Sequence, residues 1–291
     1  MTEPLILVHG GAGDVPAALR PRHREGCLLA ARRGGAVLAA GGSAVEAACA
    51  AVEALEDDEV YNAGTGCALD RDGRAALDAA VMDGATRKIG AVAALPAFKN
   101  PVRIAQRLLA APEVLLVAED AARWAESQGF RRLPNESMVV EGSRRALERA
   151  LASGGACNWA GGTVGAVARD RQARLAAATS TGGTMGKTPG RVGDAPLCGA
   201  GTYADARCAV SATGEGEAFI RGVFAARLAD ALAAGQDPQT ALDAGLKRLE
   251  RDFGGLGGAI LIQRDGGPHA GRTTPGMAHA WWSPAGDGAA D

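Results

Sequence analysis

The stretch Gly161-Gly162-Thr163-Val164-Gly165-Ala166-Val167 sets a threonine between two glycines and an apolar run. A threonine hydroxyl is a poor nucleophile unless a base stands beside it. One solution is a threonine at a chain terminus, whose own α-amine takes the proton. An α-amine has a reference pKa of about 7.7–8.0, so a good part of it is neutral at working pH. Thr163 is internal, so this chemistry requires a cut between Gly162 and Thr163. Glycines tolerate backbone conformations closed to other residues, which lets strain be held at that bond. Taken by itself, the segment also reads as an ordinary junction between a loop and a strand.

Other motifs point elsewhere and fail at particular positions. Thr181-Gly182-Gly183-Thr184-Met185-Gly186-Lys187-Thr188 ends like a phosphate-binding loop. Its first required glycine is Thr181, and Pro189-Gly190 follows where the helix should run. A P-loop-like nucleotide-binding protein is therefore kept as the alternative from a different class, to be supported by ATP binding to the intact chain. Asp70, Asp72 and Gly73 hint at a calcium loop, but its twelfth position is Val81 instead of glutamate. That segment reads as a hairpin turn between residues 67–69 and 75–81. His9, His23, His269 and His279 form no metalloprotease pattern and are assigned no role. The six cysteines show no C-x-x-C and are expected to behave as small core residues.

The charge balance, 31 basic against 33 acidic residues, argues against a polyanion-binding surface, and sparse aromatics disfavour single-strand nucleic-acid platforms. No apolar run reaches the roughly 18 residues of a membrane span. The apolar start at residues 5–8 is too short for a signal-peptide core, so a cytoplasmic location is expected. Ser43 with Glu46 makes a capping box, and Val45, Ala48, Cys49, Val52 and Leu55 supply the helical stripe behind it. Helices are also expected over residues 118–127, 143–151 and 219–234, after Asn100-Pro101, and from Asp237-Pro238. Strands are expected over residues 5–8, 163–168, 174–181, 208–213, 259–263 and 276–282, with a linker at 152–162 and a frayed tail at 284–291. Strands in runs and helices in pairs favour an α+β layered fold over alternating βαβ units.

Seven motifs follow one another in order. They are His9-Gly10-Gly11-Ala12-Gly13, Tyr61-Asn62-Ala63-Gly64-Thr65-Gly66, Leu77-Asp78-Ala79-Ala80-Val81-Met82-Asp83-Gly84, and Gly162-Thr163-Val164-Gly165-Ala166-Val167. The others are Thr179-Ser180-Thr181-Gly182-Gly183, Pro189-Gly190-Arg191-Val192-Gly193-Asp194 and Thr213-Gly214-Glu215-Gly216-Glu217. Together they resemble the plant-type asparaginase, or isoaspartyl peptidase, family of N-terminal-nucleophile hydrolases, over nearly the whole chain. The resemblance implies a four-layer αββα sandwich, made as one precursor and self-cleaved into an α subunit (1–162) and a β subunit (163–291). These stay together as one folded domain, commonly as a dimer of such αβ heterodimers.

By position, Thr163 resembles the nucleophile, and Thr181 the threonine near its amine and hydroxyl. Arg191 and Asp194 resemble the pair gripping the substrate's α-carboxylate and α-ammonium, a match that suits a guanidinium fork and a carboxylate. Thr213 and Gly214 resemble the oxyanion-hole donors, Asn62 an asparagine close to the nucleophile, and Gly216 a glycine lining the substrate pocket. The backbone carbonyls of Leu55, Glu56, Asp58, Tyr61, Ala63 and Thr65 resemble a sodium-binding loop; no organic cofactor is implied. The linker before Thr163 is short and its lead-in less polar than the family suggests, which bears on the speed of maturation. Glu215 stands beside the pocket, where a carboxylate would affect selectivity. The expected activity is hydrolysis of β-aspartyl amide bonds in L-asparagine and isoaspartyl dipeptides. A glycosylasparaginase is the alternative within the family, and an uncleaved, silent relative acting as a binding module is the third reading.

Overall fold

The computed structural model describes residues 2–154 and 162–291. The first half runs β1 (Leu5–Gly13), α1 (Arg20–Ala39), α2 (Ala44–Glu56), β2 (Leu77–Asp83), β3 (Ile89–Leu95), α3 (Pro101–Leu108), β4 (Leu115–Val117), α4 (Ala118–Ser127) and α5 (Glu141–Ala152). The second half begins β5 (Val164–Arg169), β6 (Leu175–Thr181), β7 (Thr202–Ala204), β8 (Cys208–Gly214), α6 (Gly216–Gly222), α7 (Phe224–Ala233) and α8 (Pro238–Phe253). It closes with β9 (Gly257–Gln263), β10 (Pro268–Arg272), β11 (Gly276–Ser283) and β12 (Gly286–Ala290). Most of the expected linker, residues 155–161 with Cys157, lies outside the described residues.

Among the described residues the fold is mixed α/β with two sheets, one of eight strands in the order β12-β11-β1-β5-β6-β2-β3-β4 and one of four in the order β10-β9-β8-β7. Side chains alternate across a strand, and here each face of β5 meets a different partner. Val164, Ala166 and Ala168 cluster with Ile6, Val8, Ala178 and the α1–α2 residues Cys27, Ala30, Ala47 and Cys49. Val167 points the other way, joining Leu5, Leu7, Leu175 and Ala177 against Ala209, Ile260 and Ile262 of the second sheet. The far face of that sheet, through Val210, Ala212 and Leu261, packs on Phe219, Phe224, Leu228 and Leu246 of α6–α8. Burial on both faces explains why these strands read as unbroken apolar runs. Close packing also explains part of the glycine content. A Cβ on Gly34 of α1 would lie 2.7 Å from the Ala47 carbonyl of α2.

Several local expectations hold. Ser43 and Glu46 form the capping box, and Asp237 caps α8 through Thr240. Cys27, Cys49, Cys67 and Cys208 are buried, whereas Cys198 is exposed. Others are corrected. The supposed frayed tail contains β12, which pairs with β11 from Ser283↔Gly286 to His279↔Ala290. The turn at Asp265-Gly266-Gly267 leads into β10, an additional strand against β9. The helix expected over 219–234 is broken in two at Val223, whose φ is +46°. Its cause is tertiary: the Ala225 and Ala226 N–H groups donate to the carbonyls of Ala200 and Gly199, which redirects the chain.

Candidate active site

Thr163 stands just before β5, and the strand register decides its neighbours. Val164 pairs with Ser180 and Gly165 with Thr179, so one step further Thr163 faces Thr181 across β5 and β6. Thr181 is in turn paired with Asp78 of β2. All three side chains are buried and share the face turned to the second sheet. Gly162 has φ +91°, a conformation that only glycine adopts readily. A Cβ placed there would lie 3.2 Å from Thr213 Oγ1, so the Gly162–Thr163 junction sits against that hydroxyl. Thr213 Oγ1 accepts the Ala12 N–H at 3.1 Å, which leaves its own hydrogen to be donated. Next to it Gly214, at φ +141°, could carry no Cβ without meeting the Leu256 carbonyl at 2.4 Å.

The turn after Thr181 is fully hydrogen-bonded. Gly183 N–H donates to Thr181 Oγ1 (2.8 Å), and Gly182 N–H to the Asn62 carbonyl (3.0 Å). Asn62 lies beside the β5–β6 strand pair, but its side chain is engaged with backbone. Nδ2 donates to the Gly183 carbonyl (2.7 Å) and Oδ1 accepts from Ala68 N–H (2.7 Å). The phosphate-loop reading ends here. No helix follows the segment, and Lys187 is buried with its ammonium on two backbone carbonyls.

Arg191 and Asp194 lie together. A Cβ on Gly216 would come within 2.9 Å of Asp194 Oδ1 and 3.1 Å of Arg191 Nη2, so Gly216 leaves the space that both border. Arg191 is braced by Glu217 rather than by Asp194: Nε and Nη2 donate to its two carboxylate oxygens at 2.9 and 2.8 Å. Nη1 is the end of the fork turned toward Gly183 and Gly193. Asp194 Oδ2 is buried beside Gly201 and has no hydrogen-bond partner among the described residues. Burial pushes the Asp194 carboxyl up to about 7, opposed by its backbone hydrogen bond and Arg191 and reinforced by Asp78 and Glu217. Asp78 also shapes this loop, accepting the Gly193 N–H at 3.0 Å.

The segment of Leu55, Glu56, Asp58, Tyr61, Ala63 and Thr65 is folded on its own backbone. Thr65 N–H reaches the Glu56 carbonyl, Tyr61 N–H that of Asp58, and Asp58 N–H that of Leu55. A Cβ on Gly64 would lie 2.4 Å from the Glu56 carbonyl oxygen and 2.7 Å from that of Lys99, so two carbonyls converge on one bare Cα. Asp70 Oδ1 accepts Asp72 and Arg74 N–H groups, as a turn residue does. No group of His, Cys, Asp and Glu suited to a metal occurs among the described residues.

Two neighbours of the site carry no role from sequence. Glu217, in the first turn of α6, sits in a quoted motif, but its partner is 26 residues away. His9, fully buried, accepts the Gly11 N–H at Nδ1 (3.3 Å), which leaves the proton on Nε2, 2.9 Å from Ser211 Oγ. Hydroxyl bonds then run through Thr179 to Thr202. Burial lowers the His9 imidazole to about 3; His279 adds to this and the Thr163 backbone opposes it. The ring is thus a neutral brace, and only the register between β1 and β5 brings it to Thr163.

This region brings together a threonine at a strand start, a second threonine hydroxyl against the bond before it, and an arginine and an aspartate that border one space. The profile of the asparaginase family matches residues 2–289, and the chain belongs to that family. It is similar to the isoaspartyl peptidase/L-asparaginase of Xenopus laevis, 40% identical over 91% of this chain and 87% of the relative. The human protein of that name is 38% identical over 98% and 94%, and the Bos taurus one 41% over 90% and 88%. No helix among the described residues is long and apolar enough to cross a membrane.

Proposed function

We propose that the chain is a self-processing threonine hydrolase of β-aspartyl amide bonds, acting on isoaspartyl dipeptides and L-asparagine. The observation that carries this reading is that Thr163 and Thr181 lie opposite each other on β5 and β6, with Thr213 of β8 against the Gly162–Thr163 junction and Arg191 Nη1 against Gly183 of the turn after Thr181. Scission between Gly162 and Thr163 frees the Thr163 α-amine. That amine takes the hydroxyl proton as Oγ attacks the substrate's side-chain carbonyl, and the Thr213 hydroxyl and Gly214 N–H hold the oxyanion. The amine passes the proton to the leaving nitrogen, a β-aspartyl ester remains, and water releases aspartate. Arg191 Nη1 takes the α-carboxylate, Asp194 the α-ammonium, and Gly216 keeps the pocket open.

The three apolar clusters support reading the layers as the αββα sandwich of N-terminal-nucleophile hydrolases. The same reading has the chain cut into subunits 1–162 and 163–291 and paired as a dimer of heterodimers. The backbone carbonyls of Leu55, Glu56, Asp58, Tyr61, Ala63 and Thr65 would hold a sodium ion, a hard cation for which all-oxygen ligation is suited. Its chemistry there is structural, stiffening the segment that carries Asn62. A cytoplasmic location is part of the same reading.

On prolonged incubation a denaturing gel should resolve fragments 1–162 and 163–291, with Thr163 the first residue found by N-terminal sequencing of the smaller. Wild-type protein that stays whole yet hydrolyses isoaspartyl dipeptides would rule out the terminal-amine mechanism.

The pH profile has two separable parts. Asp194 binds an ammonium only when ionised, and its carboxyl sits at about 7. Hence kcat/KM should fall as pH drops through about 7, where loss of the Asp194 charge adds to protonation of the Thr163 amine, and Asp194→Asn should lower kcat/KM and leave only the limb of the amine. In the occupied site the ammonium keeps Asp194 ionised, so kcat should follow the Thr163 amine, with an apparent pKa at or below about 7.7–8.0. Steady-state rates from about pH 5 to 9 test this, since that range spans the amine's reference value; flat profiles would defeat both assignments.

A further inference from the structure

Lys187 is left over from the failed phosphate-loop motif, and it is a costly residue to bury. Only 2% of it is exposed. Its ammonium donates to the Gly182 carbonyl and the Ala76 carbonyl, each at 2.6 Å, and its own backbone is held on the 70–71 turn by the Arg71 N–H. Asp78 supplies the opposing charge nearby, while burial lowers the ammonium's pKa. A buried cation is retained where its hydrogen bonds do something that an apolar side chain could not.

What those bonds hold is the turn beside the nucleophile. Gly182 and Gly183 have four backbone polar groups, and each has a partner. The two N–H groups go to Asn62 O and Thr181 Oγ1, and the two carbonyls take Lys187 Nζ and Asn62 Nδ2. Lys187 is the only charged member of that set and ties the turn to the entry of β2, the strand paired with Thr181. Because Gly183 N–H occupies an acceptor site on Thr181 Oγ1, the Thr181 hydrogen is left to be donated, and the strand opposite carries Thr163.

We infer that Lys187 is a positioning residue of the reaction: by clamping the Gly182 and Ala76 carbonyls it sets the turn that aims the Thr181 hydroxyl at Thr163. This rests on the proposed role of Thr163. Lys187 acts through Thr181 and touches no substrate atom. Losing it should therefore lower kcat and slow self-cleavage while leaving KM nearly unchanged, because the Arg191–Glu217 bonds are made without it.

The test is a double-mutant cycle of Lys187→Met and Thr181→Ala, read as kcat and KM on matured protein, with maturation followed on a gel and folding by thermal melting. Lys187→Met should lower kcat about tenfold, the factor set by losing roughly one charge-assisted hydrogen bond, with KM changed less than about threefold. In the Thr181→Ala background the same substitution should cost little more, since the residue it positions is gone. Should Lys187→Met not fold, Lys187→Gln, shorter but still a double donor, takes its place and should lose less of kcat. Wild-type kcat in either folded variant overturns the inference. So does a loss that is fully additive with Thr181→Ala, or one confined to KM. Thr163→Ala run alongside separates the two readings. If it keeps turnover, the nucleophile assignment fails; if it is inactive while the Lys187 variant is normal, only the positioning role fails.

Discussion

Thr163→Ala should leave one uncut chain of 291 residues with hydrolysis of isoaspartyl dipeptides reduced by at least about 10⁴-fold. Both losses have one origin. Without Oγ no ester can form at the Gly162 carbonyl, so no terminal amine is made and no acyl-enzyme follows. The methyl side chain fits the buried position, which is only 5% exposed, so the melting temperature should change little. Denaturing electrophoresis, a melting curve and a dipeptide assay together read the result. Folded Thr163→Ala protein that is still cut at residue 162, or still turns over, would remove Thr163 from the chemistry.

The second large effect is expected at Arg191. Its fork is shared: Glu217 holds Nε and Nη2, and Nη1 is turned toward Gly183 and Gly193. A lysine keeps the charge but cannot both satisfy a carboxylate bidentately and present a second donor. Losing one charge-assisted hydrogen bond costs about 1.5–3 kcal/mol, so Arg191→Lys should lower kcat/KM for isoaspartyl dipeptides roughly tenfold to a hundredfold. Self-cleavage should be spared, because the peptide between Gly162 and Thr163 has no free α-carboxylate. If Arg191 only braced its loop, maturation, turnover and melting temperature would decline together. An isoaspartyl dipeptide with its aspartyl α-carboxylate amidated gives the direct comparison. Equal hydrolysis of free acid and amide by wild-type protein would show that Arg191 does not grip a carboxylate, and the substrate class would have to change.

Family membership was legible in the sequence because seven motifs of local chemistry recur in order, each readable without knowing the fold. So were the capping box at Ser43 and Glu46, the α8 start at Asp237 and the mixed α/β character, since caps and hydrophobic period are set within a turn or two of chain. What tertiary structure decided has a common feature: the partners are far apart along the chain. Glu217 on Arg191, Ser211 on His9 and Lys187 on Ala76 are separated by 26, 202 and 111 residues. Such pairs follow from sheet register and the path of loops, and a register step of one residue would turn every side chain of a strand to the opposite face. The same holds for the tail. Residues 286–290 have no strand-like apolar pattern, being Gly-Asp-Gly-Ala-Ala, and become β12 only because β11 presents an open edge of N–H and C=O groups. Val223 in the left-handed region is the converse case. An apolar β-branched residue gives no local signal of a break, and the break is imposed by carbonyls at residues 199 and 200 that draw the next helix's free N–H groups away from their own axis.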